Sequence, residues 1–279
     1  MSNCSIRSES DKKPKATWMI VSGHVSAFVL LVVMCVTIYV SIVRAAKKLP
    51  KIRKMAALDA IDEIVGRATE TGRPIMFTQG SGTSDSLSTP EGGPQIVAGL
   101  SILGYLSRLV AKYGAKLICG VGQADALIPT REIVRASYVA EGHPENFHEN
   151  MFRYLSPSVG AYASAVTDIM RSERIAGTVI VGPMWAECMM ILFHGADIGA
   201  VQVGGTAYVD QMPNFAVVAD YMLIGEEVYA AGAYLSKEPS LLGSIFGEDL
   251  VKMLAIALVM ATVVASVIGA KAFLNIIRL

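Results

Sequence analysis

From Ala176 to Gly205 the chain reads AGTVIVGPMWAECMMILFHGADIGAVQVGG. This pattern predicts a strand at Gly177–Val181, a helix at Met184–His194 and a second strand at Ile198–Val203. Both predicted strands are continuously apolar rather than alternating, which is the pattern of a parallel sheet that is covered by helices on both faces. The segment therefore predicts a βαβ unit.

The predicted helix of this unit has turn residues at both ends and few polar side chains. Pro183 suits the first helical position, and Gly195 suits the left-handed residue beyond the last turn. Only Glu187 and His194 are polar between them, so the helix has no solvent-facing stripe. We expect it to be buried on all sides.

The rest of the region between residues 56 and 236 alternates in the same way. Further strands are predicted at Pro74–Thr78, at Ala115–Cys119 and within Phe215–Ile224. Helices are predicted at Lys54–Thr71, Pro94–Tyr113, from near Pro129, from Ser156 to about Arg174, and at Glu226–Leu235. This alternation predicts an α/β fold, with a mostly parallel sheet of about five strands in a Rossmann-like three-layer sandwich.

The composition predicts membrane segments beside this domain. Hydrophobic residues make up 53% of the 279 residues, charged residues only 17%, and the mean hydropathy is +0.48. The hydrophobic share and the mean hydropathy are higher than in an ordinary soluble protein, and the charged share is lower. Residues 17–43 contain no charged side chain, and residues 251–272 form a second apolar run. Each run is long enough for a transmembrane helix, so we predict one at either end of the α/β domain.

The distribution of basic residues predicts the orientation. Residues 44–55, directly after the first predicted span, contain a basic cluster: Arg44, Lys47, Lys48, Lys51, Arg53 and Lys54. By the positive-inside rule this side is cytoplasmic. We therefore expect a multi-pass protein of the cell membrane with a polar tail at 1–16, a cytoplasmic α/β domain at 56–236 and a linker at 237–250. Both ends of the chain would face the opposite side.

Several classes of site are disfavoured by the sequence. The formal net charge is zero, which argues against a nucleic-acid surface. The four cysteines show neither a disulfide framework nor zinc spacing. Residues His143–Glu149 contain two imidazoles and two carboxylates, but their spacing matches no zinc motif, so a solvated loop is favoured there. No metal site is predicted, and the cofactor, if any, is unknown.

The ends of the predicted strands carry the candidate ligand site. Parallel α/β sheets bind ligands beyond the carboxyl ends of their strands. The candidate ligand-binding residues there are Gly80, Ser81, Gly82, Gly122, Asp125, Gly182, Glu187, Gly204, Gly205 and Thr206. The alternative is that short turns between strands and helices need glycine for conformational reasons alone. The chain has no complete dinucleotide fingerprint, P-loop or nucleophile elbow, so no catalytic residue is predicted.

The segments Thr78-Gln79-Gly80-Ser81-Gly82 and Val181-Gly182-Pro183, placed between two apolar runs, give the chain a resemblance. Across Pro74–Leu235 it resembles an uncharacterised prokaryotic family of membrane-anchored domains of unknown function. The resemblance implies the layout of the domain and transfers no activity.

Two functions are compatible with these observations. The principal hypothesis is a membrane-anchored structural or scaffolding component of a homo-oligomeric membrane complex. It rests on the apolar helix at Met184–His194 and on the small residues of Val159–Ala165, which allow close approach. The alternative is a small-molecule-binding enzyme or sensor with its site at the glycine-rich carboxyl edge of the sheet. Convergence of Ser81, Asp125, Glu187 and Thr206 would favour this alternative.

Overall fold

The structure is a computed structural model that describes residues 25–47, 55–81 and 85–268. The strands are β1 (Ile75–Thr78), β2 (Leu117–Val121), β3 (Phe152–Tyr154), β4 (Gly177–Val181), β5 (Val201–Thr206) and β6 (Tyr221–Ile224). The helices are α1 (Val25–Ala45), α2 (Ala56–Thr71), α3 (Gly92–Tyr113), α4 (Ala124–Ala140), α5 (Val159–Ser172), α6 (Glu187–Asp197), α7 (Met212–Val218), α8 (Glu226–Ser236) and α9 (Pro239–Ile268). The predicted α/β class is confirmed.

The six strands form one parallel sheet in the order β3-β2-β1-β4-β5-β6. Residue Ile75 of β1 pairs with Leu117 of β2 on one side and with Gly177 of β4 on the other. From β1 the chain builds outward to β2 and β3, and then returns to place β4 on the free side of β1. The order in which strands are added therefore reverses between β1 and β4, while all six strands stay parallel.

Each face of the sheet has its own apolar core. Alternate strand residues point to opposite faces, so Phe77 and Val179 belong to one core, whereas Met76 and Ile180 belong to the other. The first core also contains residues of α2, α3, α4 and α8, and the second contains residues of α5, α6 and α7. Burial on both faces explains why the strand sequences are continuously apolar.

The chain divides into two compact units. Residues 50–242 form the α/β unit, which contains the predicted domain at 56–236. The other unit comprises residues 1–49 and 243–279 and includes α1 and most of α9. Within it, α1 and α9 approach closely at two glycines four residues apart. A Cβ atom at Gly243 would lie 2.7 Å from Cα of Ile42, and one at Gly247 would lie 3.0 Å from Cα of Ile38.

Two helices of the described residues are long and apolar enough to cross a membrane. They are Ala27–Ala45 in α1, of which 6% is buried, and Gly92–Tyr113, which is α3 and is 61% buried. Helix α3 lies in the core of the α/β unit. The second predicted span, at 251–272, falls within α9 as far as Ile268; residues 269–272, like 17–24 of the first, lie outside the described residues.

The structure differs from the sequence prediction in several elements. Strand β5 runs from Val201 to Thr206, three residues later than the strand predicted at Ile198–Val203. Helix α4 begins at Ala124, five residues before Pro129, which therefore lies inside the helix. The edge strand β3 was missed because it has three residues and none is buried. Residues 215–218, predicted as part of a strand, belong to α7. Most of the linker predicted at 237–250 is helical, since α9 begins at Pro239.

Helix α6 also corrects the prediction that it is buried on all sides. It begins at Glu187 rather than Met184, and it passes through Gly195 to end at Asp197. A Cβ atom at Gly195 would lie 2.2 Å from Oε1 of Gln202, so this glycine permits close packing on β5 instead of ending the helix. Met190 and Phe193 are each 51% exposed. One face of α6 is therefore apolar and open.

Candidate functional site

The candidate site lies at the carboxyl ends of β1 and β4, where the order of strand addition reverses. In open α/β sheets the connections from two such neighbouring strands diverge to opposite faces, and the crevice between them is the usual ligand site. Here the chain after β1 leads to α3 in one core, and the chain after β4 leads to α6 in the other. We use the name carboxyl edge for the residues at and directly after the carboxyl ends of β1, β2, β4 and β5.

A fully buried carboxylate lies at the centre of the carboxyl edge. Glu187, the first residue of α6, has no exposed surface. Its Oε1 accepts hydrogen bonds from the backbone N–H of Ser81 at 3.1 Å and from the Ser81 hydroxyl at 2.9 Å. Its Oε2 has no hydrogen-bond partner among the described residues. Burying a carboxylate oxygen without a partner costs free energy, so this atom needs a physical explanation.

Glycines bring the backbone segments of this edge into contact. A Cβ atom at Gly122 would lie 2.4 Å from the Ser81 carbonyl oxygen, and one at Gly182 would lie 2.5 Å from the Gln79 carbonyl oxygen. Gly80 has φ +105°, and its Cβ atom would lie 2.6 Å from the Pro183 carbonyl oxygen. Any side chain at Gly122 or Gly182 would therefore collide with backbone atoms of the segment that follows β1.

Two buried glutamines at the same edge carry further unpartnered atoms. Gln79 follows β1 directly, and its Nε2 donates to the carbonyl of Ile96 at 3.3 Å, but no described residue pairs with its Oε1. Gln123 follows β2 after one glycine, and neither its Oε1 nor its Nε2 has a partner in the part of the chain that the structure describes. Only 2% of Gln79 and 4% of Gln123 is exposed. Such groups are rare in folded proteins, so each of these atoms requires a partner that the described residues do not supply.

Asp85, in the connection that follows β1, is hydrogen-bonded to two aromatic side chains. Asp85 is 5% exposed, and its two oxygens accept hydrogen bonds from Trp185 Nε1 at 2.7 Å and from the Tyr208 hydroxyl at 2.5 Å. The Trp185 and Tyr208 ring centroids are 5.3 Å apart. Burial and the hydrogen bond to Asp85 raise the pKa of Tyr208 above its ordinary value. The Tyr208 hydroxyl therefore remains a donor at any physiological pH.

A second buried hydroxyl group lies below the end of β1. The Tyr162 hydroxyl donates to the carbonyl of Gly120 at 3.0 Å, which leaves its oxygen free to accept from the Thr78 hydroxyl. Burial raises the pKa of Tyr162 above the value of a free tyrosine. This pair ties α5 to the ends of β1 and β2.

The geometry of the site does not identify the protein family, but a family model does. The model of a domain of unknown function, DUF6754, matches residues 14–277 of the chain. The chain belongs to the DUF6754 family. No curated protein and no solved structure matched it. Membership confirms the sequence resemblance to a family of unknown function and assigns no activity to any residue.

The structure of this DUF6754 member brings five of the predicted site residues together: Gly80, Ser81, Gly122, Gly182 and Glu187. Asp125 and Thr206 lie at the same edge but hold the chain that follows β1. Asp125 Oδ2 accepts a hydrogen bond from Leu87 N at 2.8 Å, and the Thr206 hydroxyl donates to Gln95 Oε1 at 3.4 Å. Gly82 lies outside the described residues.

Gly204 and Gly205 have packing contacts instead of an open edge. Both lie within β5 rather than after it. A Cβ atom at Gly204 would lie 2.3 Å from the Phe215 ring of α7, and one at Gly205 would lie 3.0 Å from Cβ of Leu223. Their ligand contacts stay a prediction, whereas their value for packing α7 and β6 against β5 is evident.

Sequence reasoning missed the buried polar side chains that accompany Glu187 at the carboxyl edge of this DUF6754 chain. Gln79 and Gln123 were not candidates, although each stands within two residues of the end of a buried strand. That position is a usable signal, because a polar side chain there faces the crevice beyond the sheet. Asp85 was considered as a carboxylate near Ser81, but no role was predicted for it. Asp85 gave no such signal, since its partners Trp185 and Tyr208 are at least 100 residues away.

The chemistry available at the carboxyl edge is mainly that of hydrogen-bond acceptance. The unpartnered atoms include the Glu187 Oε2, Gln79 Oε1 and Gln123 Oε1 oxygens, with one donor at Gln123 Nε2. Within the described residues, no group of three or more His, Cys, Asp or Glu side chains is placed to hold a metal ion. The arrangement therefore fits a ligand that donates several hydrogen bonds.

Proposed function

We propose that the α/β domain binds a small polar molecule, carrying hydroxyl or amine donors, at the carboxyl edge between β1 and β4. The observation that carries the proposal is Glu187, whose carboxylate is fully buried and, within the described parts of the chain, has only one of its two oxygens paired. A donor group of a ligand would satisfy Oε2 and offset the cost of its burial.

The sheet supports this placement. Its strand order β3-β2-β1-β4-β5-β6 is the order of doubly wound dinucleotide-binding folds, which favours a Rossmann-like three-layer sandwich. In such folds the ligand contacts the loops after the two central strands. Here these loops contain Gly80, Ser81 and Gly182, together with the start of α6. The incomplete glycine fingerprint argues for a ligand other than a classical dinucleotide.

Binding can be tested by thermal unfolding of the full chain in mild detergent, with a panel of sugars, polyols, amino acids and nucleosides. A ligand at about 100 times its Kd stabilises the folded state by about 2.7 kcal/mol, which raises the unfolding midpoint by several degrees. Glu187→Gln keeps the shape of the side chain but removes its charge. We expect it to abolish the shift, whereas the exposed Asp168→Asn on α5 retains it. A shift that persists in Glu187→Gln, or no stabiliser in the panel, contradicts the proposal.

We propose further that the chain is a multi-pass protein of the cell membrane with this domain on the cytoplasmic side. Helix α1 contains a 19-residue window with a mean hydropathy of 2.4, and α9 exposes large apolar side chains along the part predicted to span the membrane. Arg44 and Lys47 begin the basic cluster after α1.

The protein should resist alkaline carbonate extraction. Tags at both ends of the chain should report the side opposite to a tag inserted at the exposed Gly142, and a shared side contradicts this topology.

A second candidate function is the scaffold of a homo-oligomeric membrane complex, and the open face of α6 favours it. Met190 and Phe193 are each 51% exposed, and Val217 of the neighbouring α7 is 78% exposed. Exposed apolar patches of this kind mark association surfaces. Met190→Glu should shift the protein toward monomer in mass photometry, while Val139→Glu, on the exposed side of α4, should not. A wild-type monomer in several mild detergents contradicts the scaffold hypothesis.

A further inference from the structure

A cleft of about 680 Å³ lies at the opposite, amino edge of the sheet. Its walls carry four basic side chains, Arg73, Lys116, Arg153 and Arg174, and one carboxylate, Glu173. The chain as a whole has a formal net charge of zero. The positive charge of this cleft is therefore a local concentration and not part of a generally basic surface.

The topology of the sheet brings three of these cations into a row. Arg73 precedes β1 by two residues, Lys116 directly precedes β2, and Arg174 precedes β4 by three residues. These strands are neighbours in the order β2-β1-β4, and adjacent parallel strands lie about 4.8 Å apart. The row therefore spans about 10 Å along the amino edge. Two or three anionic groups of one molecule fit this spacing.

Strand β3 leaves the cleft open on its far side. It pairs with β2 only at Cys119, Gly120 and Val121, so Leu117 and Ile118 face the cleft, and Arg153 of β3 forms one wall. The floor is apolar and includes Val110, Leu117 and the buried Tyr138. Basic walls above an apolar floor distinguish this cleft from a flat patch of solvated lysines and arginines.

The four cations have no acidic partner among the described residues. Within the described part of the chain, no carboxylate lies within ion-pair distance of Arg73, Lys116, Arg153 or Arg174, although Arg131 nearby on α4 pairs with Glu149 at 2.5 Å. Arg174 is in addition held at φ +52°, a conformation that an ordinary residue adopts at a cost. Arg174 therefore lines the cleft from a strained turn, and its guanidinium pairs with no carboxylate of the described residues.

We propose that this cleft binds a polyanion, a molecule with two or more phosphate groups. Its volume is within the range of small-molecule sites. Three of the four cations are arginines, whose planar guanidinium groups form paired hydrogen bonds to phosphate oxygens. The phosphates belong either to a soluble polyphosphorylated molecule or to the headgroup of a lipid such as cardiolipin. The site is separate from the carboxyl edge and does not depend on the ligand proposed there.

The test uses the full chain in a neutral detergent, with sodium tripolyphosphate as the probe and isothermal titration calorimetry as the measurement. We expect saturable binding that weakens at least about tenfold in the Arg153→Gln/Arg174→Gln double variant. Arg73→Gln should also weaken it. The matched control is Arg135→Gln/Arg171→Gln, which removes two exposed charges outside the cleft and should change the affinity less than about twofold. Unfolding midpoints of all variants verify that the fold is intact.

A lipid arm distinguishes the two sources of phosphate. Native mass spectrometry of the detergent-purified chain with added cardiolipin, compared with phosphatidylcholine, counts retained lipids. If the source is a headgroup, the wild type retains more cardiolipin than the Arg153→Gln/Arg174→Gln variant; if it is a soluble molecule, the two retain the same amount and only tripolyphosphate binding differs. The proposal is overturned if neither probe binds the wild type, or if both bind the double variant as tightly as the wild type.

Discussion

The two edges of one parallel sheet are built in opposite ways. At the carboxyl edge, backbone segments lie in contact, and the polar side chains Gln79, Gln123 and Glu187 are at most 4% exposed. At the amino edge, an open cleft is lined by exposed arginines and a lysine. A buried polar group without a hydrogen-bond partner lowers the stability of the fold, whereas an exposed cation is already solvated. A ligand bound at the carboxyl edge would therefore stabilise the fold, whereas one bound at the amino edge would change its stability little.

The largest expected effect tests the close packing of the carboxyl edge. Gly122→Ala places a Cβ atom 2.4 Å from the Ser81 carbonyl oxygen, and neither backbone segment has a flexible side chain that could yield. We expect a loss of about 2–3 kcal/mol of stability, or about 4–10 °C in the thermal unfolding midpoint followed by circular dichroism.

Gly66→Ala is the matched control for this substitution. Gly66 lies in the middle of α2, and a Cβ atom there would meet nothing within 4 Å. Because alanine is the better helix former, the midpoint should stay or rise slightly. If Gly122→Ala and Gly66→Ala have the same unfolding midpoint, the carboxyl edge is packed less tightly than its contacts indicate.

A smaller effect is expected at Tyr208, on the rim of the same edge. Tyr208→Phe removes the hydrogen bond to Asp85 Oδ1 and should cost about 1–2 kcal/mol at neutral pH. The pKa of Tyr208 is raised in the folded state, so its contribution is present below the ordinary tyrosine pKa of about 10 and is lost as the pH rises above it. The difference in unfolding midpoint between wild type and variant should therefore shrink above about pH 10.

The exposed Tyr113, at the end of α3, provides the comparison for Tyr208. It is 54% exposed, and Lys112 lies over its ring at 5.4 Å, a contact that phenylalanine retains. Tyr113→Phe should leave the midpoint unchanged at every pH. If Tyr208→Phe behaves in the same way, the hydrogen bond to Asp85 contributes nothing to stability.

The two edges also differ in how much of them the sequence could predict. Strand β4 was predicted with its observed bounds, Gly177–Val181, because a buried parallel strand is a continuous apolar run between glycines. The contact between Ser81 and Glu187 joins residues 106 positions apart, so the sequence placed both at one edge through the α/β rule but could not show that they pair. The unpartnered atoms of Gln79 and Gln123 depend on packing that no local pattern contains.

The amino edge was predictable from the same topology but was not predicted. In a parallel sheet every helix returns the chain to the amino edge, so the residue types just before the strands meet there. Arg73, Lys116 and Arg174 stand at these positions, and reading them in spatial order requires the strand order β2-β1-β4. Sequence order alone gives the pairs β1-β2 and β4-β5 but not the contact of β1 with β4. The row of cations was therefore hidden by one long-range pairing.

The smallest expected effect concerns the strained turn of the amino edge, and it has the opposite sign. Arg174 has φ +52°, where glycine pays no steric penalty. Arg174→Gly should raise stability by about 0.5–1 kcal/mol while it weakens tripolyphosphate binding. Lys237 has φ +54° at the end of α8, outside the cleft, and Lys237→Gly should raise stability to a similar extent without affecting binding. If both substitutions stabilise the protein and only Arg174→Gly impairs binding, the arginine is kept in its strained turn for the anion. If Arg174→Gly leaves tripolyphosphate binding unchanged, the Arg174 side chain has no part in ligand recognition, and the cleft must bind through Arg73, Lys116 and Arg153 alone.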